Sequence, residues 1–431
     1  MHREMTTRLL VVASLGCFTM TLNWFAVSAG FLDLVVRLHI GVNGLAWVVS
    51  SFILGYGIVH IPAGIWAQRF GLRRVVVAGL LAESMAAGLS GYAPNLVSIL
   101  GLRLVAGAGA AMVMGSELAL VTANFRGRRL ALAQGIACSS GAYALGALTG
   151  LYGWVSVIGW LGMRGALALA GVIGIVTAGL HLGFLPAKYG RAYDRTPTWR
   201  AFQRVIGHPN LWWVGLGAMG GYGAYFTLSQ LGPTYLVTAF HLTPAAAASY
   251  GGVMLAAGIS GALLGGYGSD RWKHRKWFIL GPGFALGVGF ILLPKAGMVL
   301  MTPFFIVAGL LVMLARPAYT AIPGDELKLS VSEDIATAEG LLFSLLAIGG
   351  AGMPLLFAMA ARYGGDDVGW SVVGLAIFFA TALGIPMRDV LAKYRHAEPI
   401  VGSSANTQET DGDRGNDPEL PLIQDGEFSG P

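Results

Sequence analysis

Apolar residues run through this chain in stretches of about 20, the length a helix needs to cross a bilayer, and short polar segments separate them. Twelve such runs are predicted, at about 9–34, 43–67, 75–92, 96–121, 130–153, 164–186, 211–237, 245–268, 277–294, 298–322, 336–361 and 369–391. The first is too long for the core of a signal peptide and more spans follow it, so it reads as the first span. The longest internal loop, about Pro186–Asn210, is polar and basic and contains Pro197 and Pro209. It divides the spans six and six. The pattern therefore predicts an all-α membrane protein: a six-helix bundle over 1–186, a cytoplasmic loop over 187–210, a second six-helix bundle over 211–396, and a tail over 397–431. The tail carries Glu398, Glu409, Asp411, Asp413, Asp417, Glu419, Asp425 and Glu427 against Arg414. Such a composition cannot bury a core, so a disordered, solvating tail is expected; docking of a cytoplasmic partner is the alternative.

Between the second and third runs lies Gly64-Ile-Trp-Ala-Gln-Arg-Phe-Gly-Leu-Arg-Arg74. Gly71 suits a sharp turn, and Arg69, Arg73 and Arg74 cannot stay in hydrocarbon. A second copy, Gly266-Tyr-Gly-Ser-Asp-Arg-Trp-Lys-His-Arg-Lys276, follows about half a chain later. Gly64 aligns with Gly266, Gln68 with Asp270, Arg69 with Arg271, and Arg73 with Arg275. Recurrence at that spacing implies a duplicated fold.

Composition agrees. The 431 residues are 55% hydrophobic and 12% charged, with 64 glycines and a mean hydropathy of +0.65. Glycine at this level fits close packing of spanning helices. The net charge of +6 comes from short basic clusters between apolar runs, so it reads as topology and not as nucleic-acid binding. With the N-terminus in the cytoplasm, only Arg37, Arg164, Lys295 and Arg362 fall on the far side, apart from Arg103 and Arg316 within spans and Arg414 in the tail. That asymmetry predicts both termini in the cytoplasm, in a bacterial inner membrane or one derived from it. Cys17 and Cys138 sit in apolar runs without metal-type spacing and are expected as buried free thiols.

Six plus six spans, a long central loop and a repeated loop motif resemble the major facilitator superfamily over about residues 5–395. Arg103-Leu-Val-Ala-Gly-Ala-Gly109 in span four is similar to that family's R-x-x-x-G-x-G. Gly135, Gly141, Gly146 and Gly150 in span five, Gly159-Trp160 and Leu185-Pro186 agree with it as well. The resemblance implies a secondary transporter working by alternating access, with a site near the midplane lined by spans one, four, seven and ten. It also implies that the loop motif latches the cytoplasmic side, with Gln68 standing where the family carries an acid and Asp270 keeping it. Many drug:proton antiporters of the family carry an acid in span one where Asn23 stands here, and a Gly-Pro pair in span five that is missing here. Both departures weigh against proton-driven drug export. A fainter likeness to nitrate/nitrite porters lacks their arginines in spans two and eight.

A charge inside a span is a functional candidate. Arg103 is expected either as a structural or gating group or as a cargo ligand. Arg316 is expected either to snorkel to the interface or to face the cavity and attract an anion, with Tyr319 sharing its helical face. Tyr222, Tyr225, Ser229 and Gln230 in span seven, and Asn23 and Ser28 in span one, are candidate cavity-lining groups whose alternative role is interhelical hydrogen bonding. His60, Glu83 and Glu117 are the candidates for proton coupling, though Glu117 is expected to pair with the basic loop at Arg126–Arg129. No phosphate loop, nucleophile–base arrangement or metal-ligand cluster is visible, so no enzyme activity, cofactor or metal is expected. The prediction is a transporter of a small solute or ion, tilted toward an anion by the two buried arginines. A non-transporting scaffold, or proton-coupled efflux or cation transport, are the alternatives.

Overall fold

The computed structural model describes residues 2–124, 133, 135–139, 141–186, 189, 199–326 and 332–391. The tail from 397, the Arg126–Arg129 loop and the side chain of Gln68 lie outside the described residues. The described elements are helical: α1 (His2–Ala29), α2 (Phe31–Leu38), α3 (Val42–Phe70), α4 (Leu72–Ser90), α5 (Leu96–Asn124), α6 (Ala142–Leu148), α7 (Trp154–Phe184), α8 (Trp199–Ile206), α9 (Pro209–Phe240), α10 (Pro244–Arg271), α11 (Arg275–Leu292), α12 (Met298–Glu326) and α13 (Ser332–Leu383). The π-helical turns Gly135–Ser139 and Thr149–Gly153 flank α6 and carry the fifth span.

Among the described residues, eight helical stretches are long and apolar enough to cross a membrane. Two of them run 50 and 46 residues, too long for one crossing. Each contains a glycine break: Gly162 at φ 68° in α7, and Gly364–Gly365, with Gly365 at φ 77°, in α13. Glycine adopts a positive φ at little cost, so the chain turns back there. Helices α4 and α9 complete twelve crossings in two six-helix bundles.

Three predicted boundaries are corrected. The first apolar run does not continue to residue 34: α1 stops at Ala29, and Gly30 admits a bend before the short α2. The last span ends at Leu383, not 391, because Gly384 and Pro386 follow and proline cannot continue the ladder. The central loop is not loop throughout; apolar residues at 199, 202, 205 and 206 keep helical spacing, and α8 forms there.

Hydrocarbon supplies no hydrophobic drive between helices, so small residues set the packing. In the first bundle α3 and α5 touch backbone to side: a Cβ at Gly55 would overlap the carbonyl of Leu104, and one at Gly107 the carbonyl of Phe52. The second bundle repeats the device. There α10 and α12 meet at Gly261 against Leu310, Gly265 against Leu314 and Gly309 against Met254. The same helix pair of each half is thus clamped the same way, which is the structural counterpart of the repeated loop.

The two bundles meet along α1–α9, α3–α13 and α6 with α10 and α12. Ser28 Oγ donates to Gln230 Oε1 at 2.6 Å, Ser50 Oγ to the Ala351 carbonyl at 2.6 Å, and Ser344 Oγ to the Gly57 carbonyl at 2.8 Å.

Candidate functional site

At the middle of the α1–α9 seam the side chains are aromatic. Trp24 of α1 stacks on Phe52 of α3 at 4.1 Å and on Phe226 of α9 at 4.8 Å, the latter nearly coplanar at 12°. Phe226 also meets Tyr222 and Tyr225 edge-on. Spans one and seven therefore join through π faces.

Arg316 of α12 lies beside this seam and is 8% exposed. Its guanidinium sits 4.5 Å from the centroid of Tyr143, which belongs to α6 in the other bundle. Tyr56, Tyr222 and Tyr319 lie within its electrostatic reach, as does Tyr225. Among the described residues no carboxylate forms an ion pair with it. Small hollows open on both sides of this ring of tyrosines, one lined by Gly217, Tyr222, Pro282, Val312 and Tyr319, the other by Tyr143, Tyr225, Leu255, Gly258 and Met313. Snorkelling is not what the side chain does; it points to the seam.

Arg103 of α5 is fully buried. Its Nε and Nη1 approach the carbonyls of Val48 and Trp24, each at 3.4 Å, and its guanidinium lies 4.4 Å from the Phe52 centroid. Glu83 of α4 is the charge that faces it. All these groups belong to the first bundle. Asn23 turns toward the same bundle, donating from Nδ2 to Ser84 Oγ at 3.0 Å. Polar atoms remain open along the seam: Asn23 Oδ1, Trp24 Nε1, Tyr225 OH, Ser229 Oγ and Gln230 Nε2 are buried without a hydrogen-bond partner among the described residues.

The remaining candidates separate. His60 packs between the rings of Tyr56 and Phe343, at 4.6 and 4.7 Å. Glu117 does not depend on the basic loop for a partner: its Oε1 lies 2.7 Å from His181 Nε2, both side chains fully buried. The expectation missed this because His181, near the end of the sixth span, gives no local signal of its partner. The two loop motifs differ as well. In the first, Arg69 is exposed beside Phe70, Gly64 has open space around it, Gly71 turns at φ 88°, and Arg73 donates to the Leu182 carbonyl. In the second, Gly266 packs on Pro317, Arg271 is exposed, and Arg275 pairs with Asp270 at 2.7 Å and Asp325 at 3.3 Å and donates to Ser269 Oγ at 2.6 Å. Cys17 and Cys138 are buried free thiols, with their sulfurs 3.5 Å apart. Tyr143, Trp24 and Phe226, which complete the ring and the stack, were not among the expected site residues; each is an aromatic in a span whose pattern says only "apolar".

Residues 13–330 match the family model of the Major Facilitator Superfamily. Among curated proteins, the methylenomycin A resistance protein of Bacillus subtilis is 32% identical over 156 residues, 34% of each chain. The multidrug resistance protein Stp of Mycobacterium tuberculosis is 30% identical over 156 residues, 34% of this chain and 29% of that one. The chain thus spans about a third of the length of the curated relatives it matches. A bacterial homolog to the human lysosomal transporter Spinster, solved in an inward-facing and unoccupied conformation, superposes with a TM-score of 0.70 at 16% identity, covering 92% of this chain and 99% of that one. That likeness shows the fold.

Proposed function

The chain belongs to the major facilitator superfamily, and we propose that it is a secondary transporter that carries an amphipathic organic anion by alternating access. One observation carries the choice of cargo: Arg316 is buried on the seam with tyrosines around it, and among the described residues no carboxylate pairs with it. A buried cation without a counter-ion is costly and is retained where a ligand completes it. The aromatic faces of Trp24, Phe226 and Tyr225 offer the apolar part of a cargo its surface.

The same geometry supplies a reason for the halves to move. The contact of Arg316 with the Tyr143 ring is worth about 0.5–2 kcal/mol. A carboxylate or sulfonate accepting charge-assisted hydrogen bonds from the guanidinium is stronger. An entering anion therefore takes Arg316 from Tyr143 and loosens the α6–α12 contact between bundles. On release the ring reclaims the cation. Differential stabilisation of two states is what alternating access requires. The names of the relatives, which are resistance proteins, support export as the direction, although Asn23 stands where an acid was expected in an antiporter of drugs.

The test uses the full chain in proteoliposomes. Uptake of 2-naphthalenesulfonate, an aromatic ion that keeps its charge, is compared with uptake of the aromatic cation N,N,N-trimethylanilinium. The reading expects the anion alone to move, and Arg316→Gln to slow it by about tenfold or more, the equivalent of about 1.4 kcal/mol. Equal movement of both ions, or full activity in Arg316→Gln, contradicts it.

A further inference from the structure

We propose that Glu117 and His181 form a proton-binding pair, separate from the cargo site, through which proton movement drives the transport cycle. The inference rests on the transport reading above. It starts from a hydrogen-bond constraint. His181 Nδ1 lies 2.8 Å from the Thr177 carbonyl, and a carbonyl can only accept, so Nδ1 carries a hydrogen. The 2.7 Å contact of Nε2 with Glu117 Oε1 then also contains a proton: either an imidazolium donates to a carboxylate, or a carboxylic acid donates to a neutral imidazole. In both forms the pair is neutral and holds one exchangeable proton. Glu117 Oε2 is buried and has no hydrogen-bond partner among the described residues, so it is an open seat for a second.

Uptake of that second proton is balanced simply. An O–H bond forms at Oε2, nothing leaves, and the pair becomes a neutral acid beside an imidazolium. The net charge rises from zero to plus one, and the ion pair's attraction is replaced by a weaker ion–dipole contact. A closed, dry pocket tolerates the neutral state, whereas the charged one favours an arrangement that admits water. The two protonation states therefore favour two packings of the helices around the pair.

Those helices are the right ones. Glu117 is on α5 and His181 on α7, and the backbone of α1 lies directly on them: a Cβ at Gly16 would overlap Glu117 Oε1 and come within 3.0 Å of His181 Nε2. Helix α1 carries Trp24 and Ser28 to the seam two and three turns further on. The next residue, Cys17, lies within electrostatic reach of both Glu117 and Arg316. Among the described residues, the other titratable or charged groups facing this junction are Cys138, against Cys17, and Arg73 of α4, which donates to the Leu182 carbonyl one residue beyond His181. Glu83 faces Arg103 instead, and His60 sits among rings. Among the three residues expected as proton carriers, Glu117 is the one with a second titratable side chain bonded to it.

Two arms test the pair on the full-length protein. The first needs no cargo. Infrared difference spectra between about pH 8 and about pH 5, the range in which histidine changes charge, should show a buried carboxylic-acid band that vanishes in Glu117→Gln and shifts in His181→Gln. Gly16→Ala, which pushes the carboxylate off His181, should move it too and serves where the other variants fold poorly. An unchanged band in all three overturns the assignment. The second arm follows 2-naphthalenesulfonate in proteoliposomes. Glu117→Gln should keep gradient-free exchange within about twofold of the parent yet lose accumulation driven by a pH gradient; accumulation at the parent level overturns the coupling role. Absence of any exchange in the parent protein would instead sink the transport reading, and the infrared arm would still decide whether the pair takes up a proton.

Discussion

Arg103 and Arg316 are the same residue on equivalent helices of the two bundles, and both are buried, yet their surroundings assign them different work. Arg103 is held by the carbonyls of Val48 and Trp24, the face of Phe52 and the charge of Glu83, all within its own bundle. Arg316 forms no ion pair with an acid among the described residues, and its ring partner, Tyr143, belongs to the opposite bundle. A charge whose partners move with it stiffens a unit. A charge whose partner moves away from it reports on the gap between units and is free to change partners. We read Arg103 as the group that positions Trp24 and Phe52, and Arg316 as the group that meets the cargo.

The largest effect that would sharpen this distinction is on stability. Arg103→Gln strips a fully buried guanidinium from the Val48 and Trp24 carbonyls and the Phe52 face, and losing hydrogen bonds made by a charged group costs about 1.5–3 kcal/mol. Unfolding in detergent should show that loss. An unchanged melting temperature in Arg103→Gln would break the distinction. A smaller effect is expected at Tyr143. Tyr143→Ala removes the ring over Arg316, about 0.5–2 kcal/mol, whereas Tyr143→Phe keeps it; affinity for 2-naphthalenesulfonate should change in the first and hold in the second. If both variants change affinity equally, the hydroxyl and not the π face is what matters; if neither does, Tyr143 plays no part in cargo binding. The smallest effect belongs to the seam itself. Ser28→Ala removes the bond to Gln230, about 0.5–1.5 kcal/mol, and spin labels on the two bundles should record a population shift toward separated α1 and α9 ends. No shift would mean that the aromatic stack alone holds that contact.

The spans were legible because lipid imposes one rule on every stretch that crosses it: backbone groups must be satisfied internally, so hydropathy alone marks the helices. Their ends were less so. Gly30, Gly162 and Gly365 each turn the chain, but the sequence is full of glycines, and most of them serve close packing, as Gly55 and Gly107 do. Arg316 and Tyr319 stood out as polar groups in an apolar run, and the helical spacing of Tyr222 and Tyr225 could be counted. Tyr143 and His181 could not be found that way. What matters about each is a partner more than 60 residues distant, Arg316 for one and Glu117 for the other, and periodicity within a helix carries no information about which helix lies opposite. Two absent motif positions, an acid where Asn23 stands and the span-five Gly-Pro pair, weigh against drug export, yet two of the proteins similar in sequence are resistance proteins. A motif's absence removes one known way of coupling, and the Glu117–His181 contact shows that a carboxylate can be placed elsewhere in the same bundle.

Calorimetric titration of 2-naphthalenesulfonate into the purified parent, Arg316→Gln and Arg103→Gln proteins, at a temperature where all three are folded, addresses the division of roles most directly. The parent should bind. Arg316→Gln should weaken binding by about tenfold or more, and Arg103→Gln should stay within about threefold of the parent, a change of less than about 1 kcal/mol. Equal losses in the two variants, or a loss confined to Arg103→Gln, would contradict the assignment of cargo to Arg316.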